Sequence, residues 1–175
     1  MENGIQGIGA FLVGLIAAYG IGSVNFALVL FRLLGRQDPR LAHSGNPGAT
    51  NVYRQAGPLW AALVLLLDAG RAMAVAFVSL RLLSPVLVPW MAFGLLLGNR
   101  YPCLHGFRGG KGVANYLGFT LLAAPVWALA GGVAWLAAFA LWRTPFWSSF
   151  AMVAFLALGQ GLIFGPDPTA LIGVV

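Results

Sequence analysis

The chain has 175 residues, 60% of them hydrophobic and 8% charged, with a mean hydropathy of +0.87, which excludes an ordinary soluble domain and reads as an all-α integral membrane protein. The net charge of +6 would suggest nucleic acid in a soluble protein. Here the basic residues sit mostly in loops between apolar spans, so the expected partners are phosphorylated metabolites and membrane lipids, with no nucleic acid.

The single Cys103 excludes an internal disulfide, a four-cysteine zinc site and an iron–sulfur cluster. His43 and His105 are too few for a histidine-based metal site, so no metal is expected. Glu2 and the absence of Lys or Arg before Arg32 argue against a cleaved signal peptide. Residues 1–175 read as one membrane domain without internal repeats.

Gly7 to Leu34 is apolar apart from a few small polar residues and exceeds the roughly 20 residues that a spanning helix needs. It reads as the first span. Gly20, Gly22, Ser23 and Asn25 form a small polar stripe within it, open to two readings: close helix packing, or a face turned toward a site. Arg32, near the end, can snorkel to the headgroups.

Gly35 to Gly57 reads as a polar loop, and Pro58 to about Leu83 as a second span. Asp68 and Arg71 lie inside that span three residues apart on one helical face, so they can pair. A structural ion pair and a functional role are both open. Ser84 to Gly98 offers only about 15 residues, short for a full span, and can tilt or break at Pro85 or Pro89. Apolar segments follow near 113–124, 126–142 and 146–164, punctuated by Pro125 and by Arg143 to Pro145. The closing PDPTALIGVV reads as the opening of another apolar segment.

Two loops stand out. Gly98 to Ala114, GNRYPCLHGFRGGKGVA, sets Arg100, Arg108 and Lys111 among glycines, which let the backbone come close to a ligand so that N–H groups and cationic heads surround a phosphate. Gly109, Gly110 and Gly112 are expected to expose backbone donors, Lys111 to add a point charge, and the helix from Val113 to aim its positive end at the same place. A basic loop that only orients the protein is the plainer reading, but orientation needs charge and not glycines. His43 to Arg54, HSGNPGATNVYR, supplies Ser44, Gly45, Asn46, Gly48, Thr50 and Asn51 as hydrogen-bonding and turn residues, and Arg54 as a bidentate fork for phosphate. An ordinary turn uses the same residue types.

Two spans separate these loops, which places both on one side of the membrane. They hold Arg36, Arg40, Arg54, Arg100, Arg108 and Lys111, six of the ten basic residues, so the positive-inside rule makes that side cytoplasmic and the N-terminus external. Arg143 falls on the same side. A site for two phosphorylated groups, reached from the cytoplasm, is the expectation.

The second loop is not an ATP-binding P-loop, because that pattern requires Gly at His105 and Ser or Thr at Gly112. Cys103 and His105 could in principle form a thiolate–imidazole pair, although a lone cysteine beside an apolar span is more often a packing residue. Asp38 is the only acid of the two loops. With no protein base at hand, chemistry on an already activated substrate is favoured.

On these residues the chain resembles the bacterial membrane glycerol-3-phosphate acyltransferases that use acyl-phosphate as donor, the PlsY family. The likeness runs through Gly22-Ser23, Asp38-Pro39-Arg40, Ser44 to Asn51, Arg54, Gly57, the LLLDAGRA run around Asp68 and Arg71, Tyr101-Pro102, and Phe107 to Ala114. It implies a helical bundle of about six to seven spans with cytoplasmic motif loops in the bacterial inner (plasma) membrane. The implied reaction is attack of the primary hydroxyl of glycerol 3-phosphate on the acyl carbonyl of an acyl-phosphate, giving lysophosphatidic acid and phosphate. The catalytic residues would be Ser44, Arg54 and Lys111. Ser23, Arg40, Gly45, Asn46, Gly48, Thr50, Asn51, Arg108, Gly109, Gly110 and Gly112 would bind substrate, and neither metal nor other cofactor is implied.

The sequence departs from that family at Asn99, usually His, and at His43, usually Gly. The family's last span and its HRENI-like cytoplasmic segment find no counterpart in the 175 residues. An alternative is therefore a non-catalytic relative that binds phosphorylated lipids or metabolites. A small organophosphate transporter is disfavoured by the lack of repeats.

Overall fold

The computed structural model describes residues 2–165, with side chains from residue 9 onward; the PDPTALIGVV segment lies outside the described residues. Eight α-helices follow one another: α1 (Glu2–Gly22), α2 (Phe26–Leu33), α3 (Ala49–Ala56), α4 (Pro58–Leu82), α5 (Val88–Arg100), α6 (Val113–Ala123), α7 (Pro125–Trp142) and α8 (Pro145–Phe164). Among the described residues there is no strand. Proline opens α4, α5, α7 and α8 in the first turn, where its fixed φ suits the helix and its missing N–H would have no partner anyway. These prolines are why the boundaries of the last helices fall within a residue or two of the sequence reading.

Two expectations need correction. The first span is not one helix: α1 stops at Gly22 and α2 restarts at Phe26, with Asn25 as N-cap accepting from the Leu28 N–H at 3.0 Å. Nor is Gly35 to Gly57 only a loop, since α3 occupies its second half and buries Asn51 and Val52.

A broken helix in an apolar environment leaves carbonyls that must find donors. Arg71 supplies them. Its Nη1 donates to the carbonyls of Ile21 (3.1 Å), Gly22 (3.3 Å) and Val24, its Nε to Asn115 Oδ1 (2.8 Å), and its Nη2 to Asn99 Oδ1 (2.9 Å). The same Nη2 lies 2.9 Å from Asp68 Oδ1, with both side chains 8% exposed. That contact is an ion pair with poor hydrogen-bond alignment, since Asp68 Oδ1 has no hydrogen-bonded donor. The guanidinium also stacks 5.1 Å from the Phe26 ring centroid. One buried side chain on α4 thus ties the α1–α2 junction to α5 and α6, and the Asp68–Arg71 ion pair expected from the sequence is formed.

The main apolar core lies between α1, α4, α5, α6 and α8, with Ala72, Ala76, Val88, Met91, Leu95 and Phe119 almost fully buried. A second cluster joins α2, α3 and α4 through Phe31, Val52 and Val64, and a third joins α7 to α8 through Ala128, Met152 and Leu156. Large apolar side chains such as Leu66, Val126, Leu129, Val133 and Phe150 point outward, as on a surface solvated by lipid. Among the described residues four stretches are long and apolar enough to cross a membrane: Gly9–Leu33, Pro58–Leu82, Pro125–Trp142 and Pro145–Phe164. The segments expected at 84–98 and 113–124 also form helices, but α5 has 13 residues and α6 has 11.

In lipid, apolar burial does not distinguish helix–helix from helix–lipid contact, so close approach of small residues carries the packing. At the α1–α5 crossing a Cβ on Gly22 would run into the Leu95 carbonyl, and one on Gly98 into the Tyr19 carbonyl. Gly98→Ala is therefore expected to lower the melting temperature in detergent by several degrees. Gly20→Ala, where an added Cβ meets nothing within 4 Å, should leave it unchanged.

Candidate active site

The two glycine-containing loops meet. Arg40 binds Asp38 through Nε (2.9 and 3.0 Å) and Nη2 (2.6 Å), while its Nη1 donates to the carbonyls of His105 and Arg108, both at 2.9 Å. Asn25 Nδ2 donates to Pro47 O at 3.1 Å, pinning the first loop to the broken helix. Asn51 Nδ2 donates to Pro39 O (2.9 Å) and Ala42 O (3.3 Å). Each of these side chains holds one loop in place against the rest.

Hydrogen bonding to the Arg40 guanidinium, outweighing a desolvation cost, holds the Asp38 carboxyl below its ordinary value of 3.8. A carboxyl depressed in the folded state lends stability that is complete above the ordinary value and lost as pH falls through the lower folded one. Thermal stability followed from neutral pH into acid should therefore drop below 3.8 more steeply in the wild type than in Asp38→Asn, whose stability should already be reduced at neutral pH. Partial burial, then the nearby positive charges of Arg32 and Arg40, lower the His105 pKa.

Between the loops and helices α6 to α8 lies a cavity of about 700 Å³. Its polar end is lined by Ser44, Asn46, Gly48, Thr50 and Arg54 from the first loop and α3, and by Gly110, Lys111 and Gly112 from the second. Two helix N-termini open onto it, α3 at Gly48-Ala49-Thr50 and α6 at Gly112-Val113-Ala114, and both direct partial positive charge and unpaired N–H groups into the space. Gly112, with φ of 76°, makes the left-handed turn from which α6 starts.

Among the described residues, Arg54 and Lys111 have no salt-bridge or hydrogen-bond partner. Lys111 Nζ rests 5.1 Å from the Phe146 ring centroid. The other end of the cavity is apolar, walled by Leu117 on α6, Trp135 and Leu136 on α7, and Met152 on α8. A second recess of about 450 Å³ is lined by Ser44, Gly45, Asn46, Arg100, Gly109 and Lys111. Ser44, Asn46 and Lys111 border both spaces, so the two adjoin at these residues.

Of the residues expected to bind substrate, Ser23 lines neither space; its hydroxyl donates to Tyr19 O at 3.0 Å. Arg40, Asn51 and Arg108 are also outside the lining, the first two acting on the loops as above. The amides of Gly109 and Gly110 are not free donors, because they bond to the carbonyls of Arg100 (3.1 Å) and Asn99 (2.9 Å) at the end of α5. Those carbonyls have no helical partner, and the returning loop satisfies them. What glycine provides at 109 is proximity, since a Cβ there would overlap the Asn99 carbonyl. Cys103 and His105 line neither space, which removes them as a nucleophile pair for this site.

Arg100, expected among the cationic heads of the second loop, lines the second recess, whereas sequence reasoning missed Asn99, Asn115, Thr144, Phe146 and the apolar wall as lining residues. Asn99 and Asn115 carried a signal, being polar residues at the edges of apolar segments. The apolar wall carried none.

No cluster of three or more His, Cys, Asp or Glu residues occurs among the described residues. A helical membrane protein whose cavity joins a doubled anion-binding end to an apolar channel suits substrates that carry both a phosphate and a long tail. Residues 12–175 match the glycerol-3-phosphate acyltransferase family model, and the chain belongs to that family. It is 41% identical over 158 residues to the glycerol-3-phosphate acyltransferase of Pseudomonas paraeruginosa, covering 90% of this chain and 82% of that one. It is likewise 41% identical over 150 residues to that of Methylobacillus flagellatus, covering 85% and 75%. The crystal structure of PlsY (YgiH), an integral membrane glycerol 3-phosphate acyltransferase, in its glycerol 3-phosphate form superposes with a TM-score of 0.83 at 30% identity, covering 94% of this chain and 83% of that one. The lysophosphatidic acid form gives 0.81 at 29%.

Proposed function

We propose that this protein transfers a fatty acyl group from acyl-phosphate to the primary hydroxyl of glycerol 3-phosphate, giving 1-acyl-glycerol 3-phosphate and inorganic phosphate. The observation that carries this reading is a cavity with a cationic, N–H-bearing end that adjoins a second basic recess, and an apolar wall beyond it. Names and bound states of the relatives support it. The hydroxyl oxygen attacks the acyl carbonyl carbon, the new ester C–O bond forms, and the C–O bond to phosphate breaks. Phosphate leaves with the bonding electron pair, and the hydroxyl proton goes to a phosphate oxygen.

Among the described residues the only carboxylate lining the cavity, Asp68, is engaged by Arg71, so a substrate phosphate serves as base. Ser44, Arg54 and Lys111 hold the phosphates and stabilise charge developing on the carbonyl and leaving group, assisted by the N-termini of α3 and α6. Asn46, Thr50 and Gly112 complete the cradle. The test is purified protein in detergent with palmitoyl phosphate and glycerol 3-phosphate, reading phosphate release and lysophosphatidate. Turnover with acyl-phosphate and none with acyl-CoA is expected; equal use of acyl-CoA would refute the donor assignment.

The site faces the cytoplasm of a bacterial inner membrane in this proposal, by the charge bias of its loops. The lone Cys103 is exposed on the second loop and makes the test direct. A membrane-impermeant maleimide should label it in inverted vesicles and not in right-side-out ones, and the reverse pattern would invert the topology.

A further inference from the structure

We propose that Gly132 sets the length of acyl chain that this enzyme accepts, an inference that rests on the acyltransferase reading. Gly131 and Gly132 sit side by side on α7 but face different surroundings. A Cβ on Gly131 would come within 3.1 Å of Leu156 Cδ2 and 3.3 Å of Met152 Cγ and O, whereas one on Gly132 would meet nothing within 4 Å. Gly131 therefore serves the α7–α8 contact, and Gly132 opens into space.

That space is the cavity, which Gly132 lines together with Trp135 and Leu136. Their i, i+3, i+4 spacing puts all three on one face of α7. The polar end of the same cavity is marked by Thr144 and by Phe146 under Lys111, just beyond the C-terminal end of α7 at Trp142. Counting back from Trp142 to Gly132 at the α-helical rise places the glycine about 15 Å along the axis. It is the α7 lining residue furthest from the phosphate end. An acyl tail whose carbonyl lies beside Lys111 runs past Leu136 and Trp135 and reaches Gly132 last. The missing side chain there leaves room for the terminal methylenes, and any side chain put in its place projects into the path of the tail.

The experiment compares turnover on octanoyl and palmitoyl phosphate in the wild type, Gly132→Ala, Gly132→Leu and Gly131→Leu, with melting temperature measured for each. Gly132→Leu is expected to keep octanoyl turnover and to lose at least about tenfold on palmitoyl phosphate. Gly132→Ala should fold as the wild type does and shift the ratio in the same direction by less. Gly131→Leu should lower both turnovers together with the melting temperature.

A palmitoyl-to-octanoyl ratio unchanged in both Gly132 variants, with the wild type active, would overturn the inference and leave the acyltransferase reading standing. A wild type that releases phosphate from neither acyl-phosphate would overturn both.

Discussion

Lys111→Ala is expected to reduce acyl transfer by about a hundred- to a thousandfold, the range seen when one preorganised donor to a developing anion is removed, without unfolding the protein. The side chain is exposed and borders both compartments. It rests over the Phe146 ring, and among the described residues no carboxylate holds it, so its loss removes charge from the site and little from the packing. Lys111→Arg keeps the charge but replaces a compact ammonium with a planar fork, and should recover only part of the rate. Ser44→Ala and Arg54→Ala should fall in the same direction. Initial rates with palmitoyl phosphate, together with melting temperature, check the set: full activity in all three alanine variants would refute the site.

Arg71→Met should have the larger effect on stability, on the order of 3–5 kcal/mol, as when one partner of a buried ion pair is removed. The substitution strands Asp68, which is 6% exposed, and withdraws donors from Ile21, Gly22 and Val24 at the α1–α2 junction. It also frees Asn99 and Asn115. Asn99 accepts from the Gly110 amide through its carbonyl, so the disturbance passes directly to the loop that carries Lys111. Arg71→Lys, which retains charge but reaches fewer acceptors, should fall between. Thermal unfolding in detergent is the measurement, and a methionine variant as stable as the wild type would remove Arg71 from its organising role.

Much of the fold could be read from residue order. Pro58, Pro125 and Pro145 mark helix starts because proline suits only the first turn, and FRGGKG before an apolar run announced a loop entering a helix N-terminus. The α1 break was not legible, because Gly22, Ser23 and Asn25 are the residues expected of close packing as well as of an interruption. Only the Leu28 N–H bonded to Asn25, and the arginine satisfying the junction, distinguish the two. Helix α3 was hidden for a related reason: the SGNPG run that precedes it consists of turn formers, and eight residues are too few for a clear period.

At the site, Ser44, Arg54 and Lys111 were conspicuous as polar residues in an apolar chain, and the structure brings them to one cavity. Arg40 and Asn51 were equally conspicuous, yet they brace the loops, because residue type does not reveal which way a side chain turns. Trp135, Leu136 and Gly132 lie on a helix that is apolar all round, so no pattern singles out the face that meets the cavity.

The interruption between α1 and α2 also bears on how the chain is assembled. The acceptors at Gly22 and Val24 are synthesised first, and the arginine that serves them follows 47 to 49 residues later. Until then an open junction in lipid would leave backbone groups unsatisfied at several kcal/mol each. The break is therefore stable only after α4 docks. The final shape of the N-terminal segment depends on α4, and α1 with α2 is not a finished unit without it.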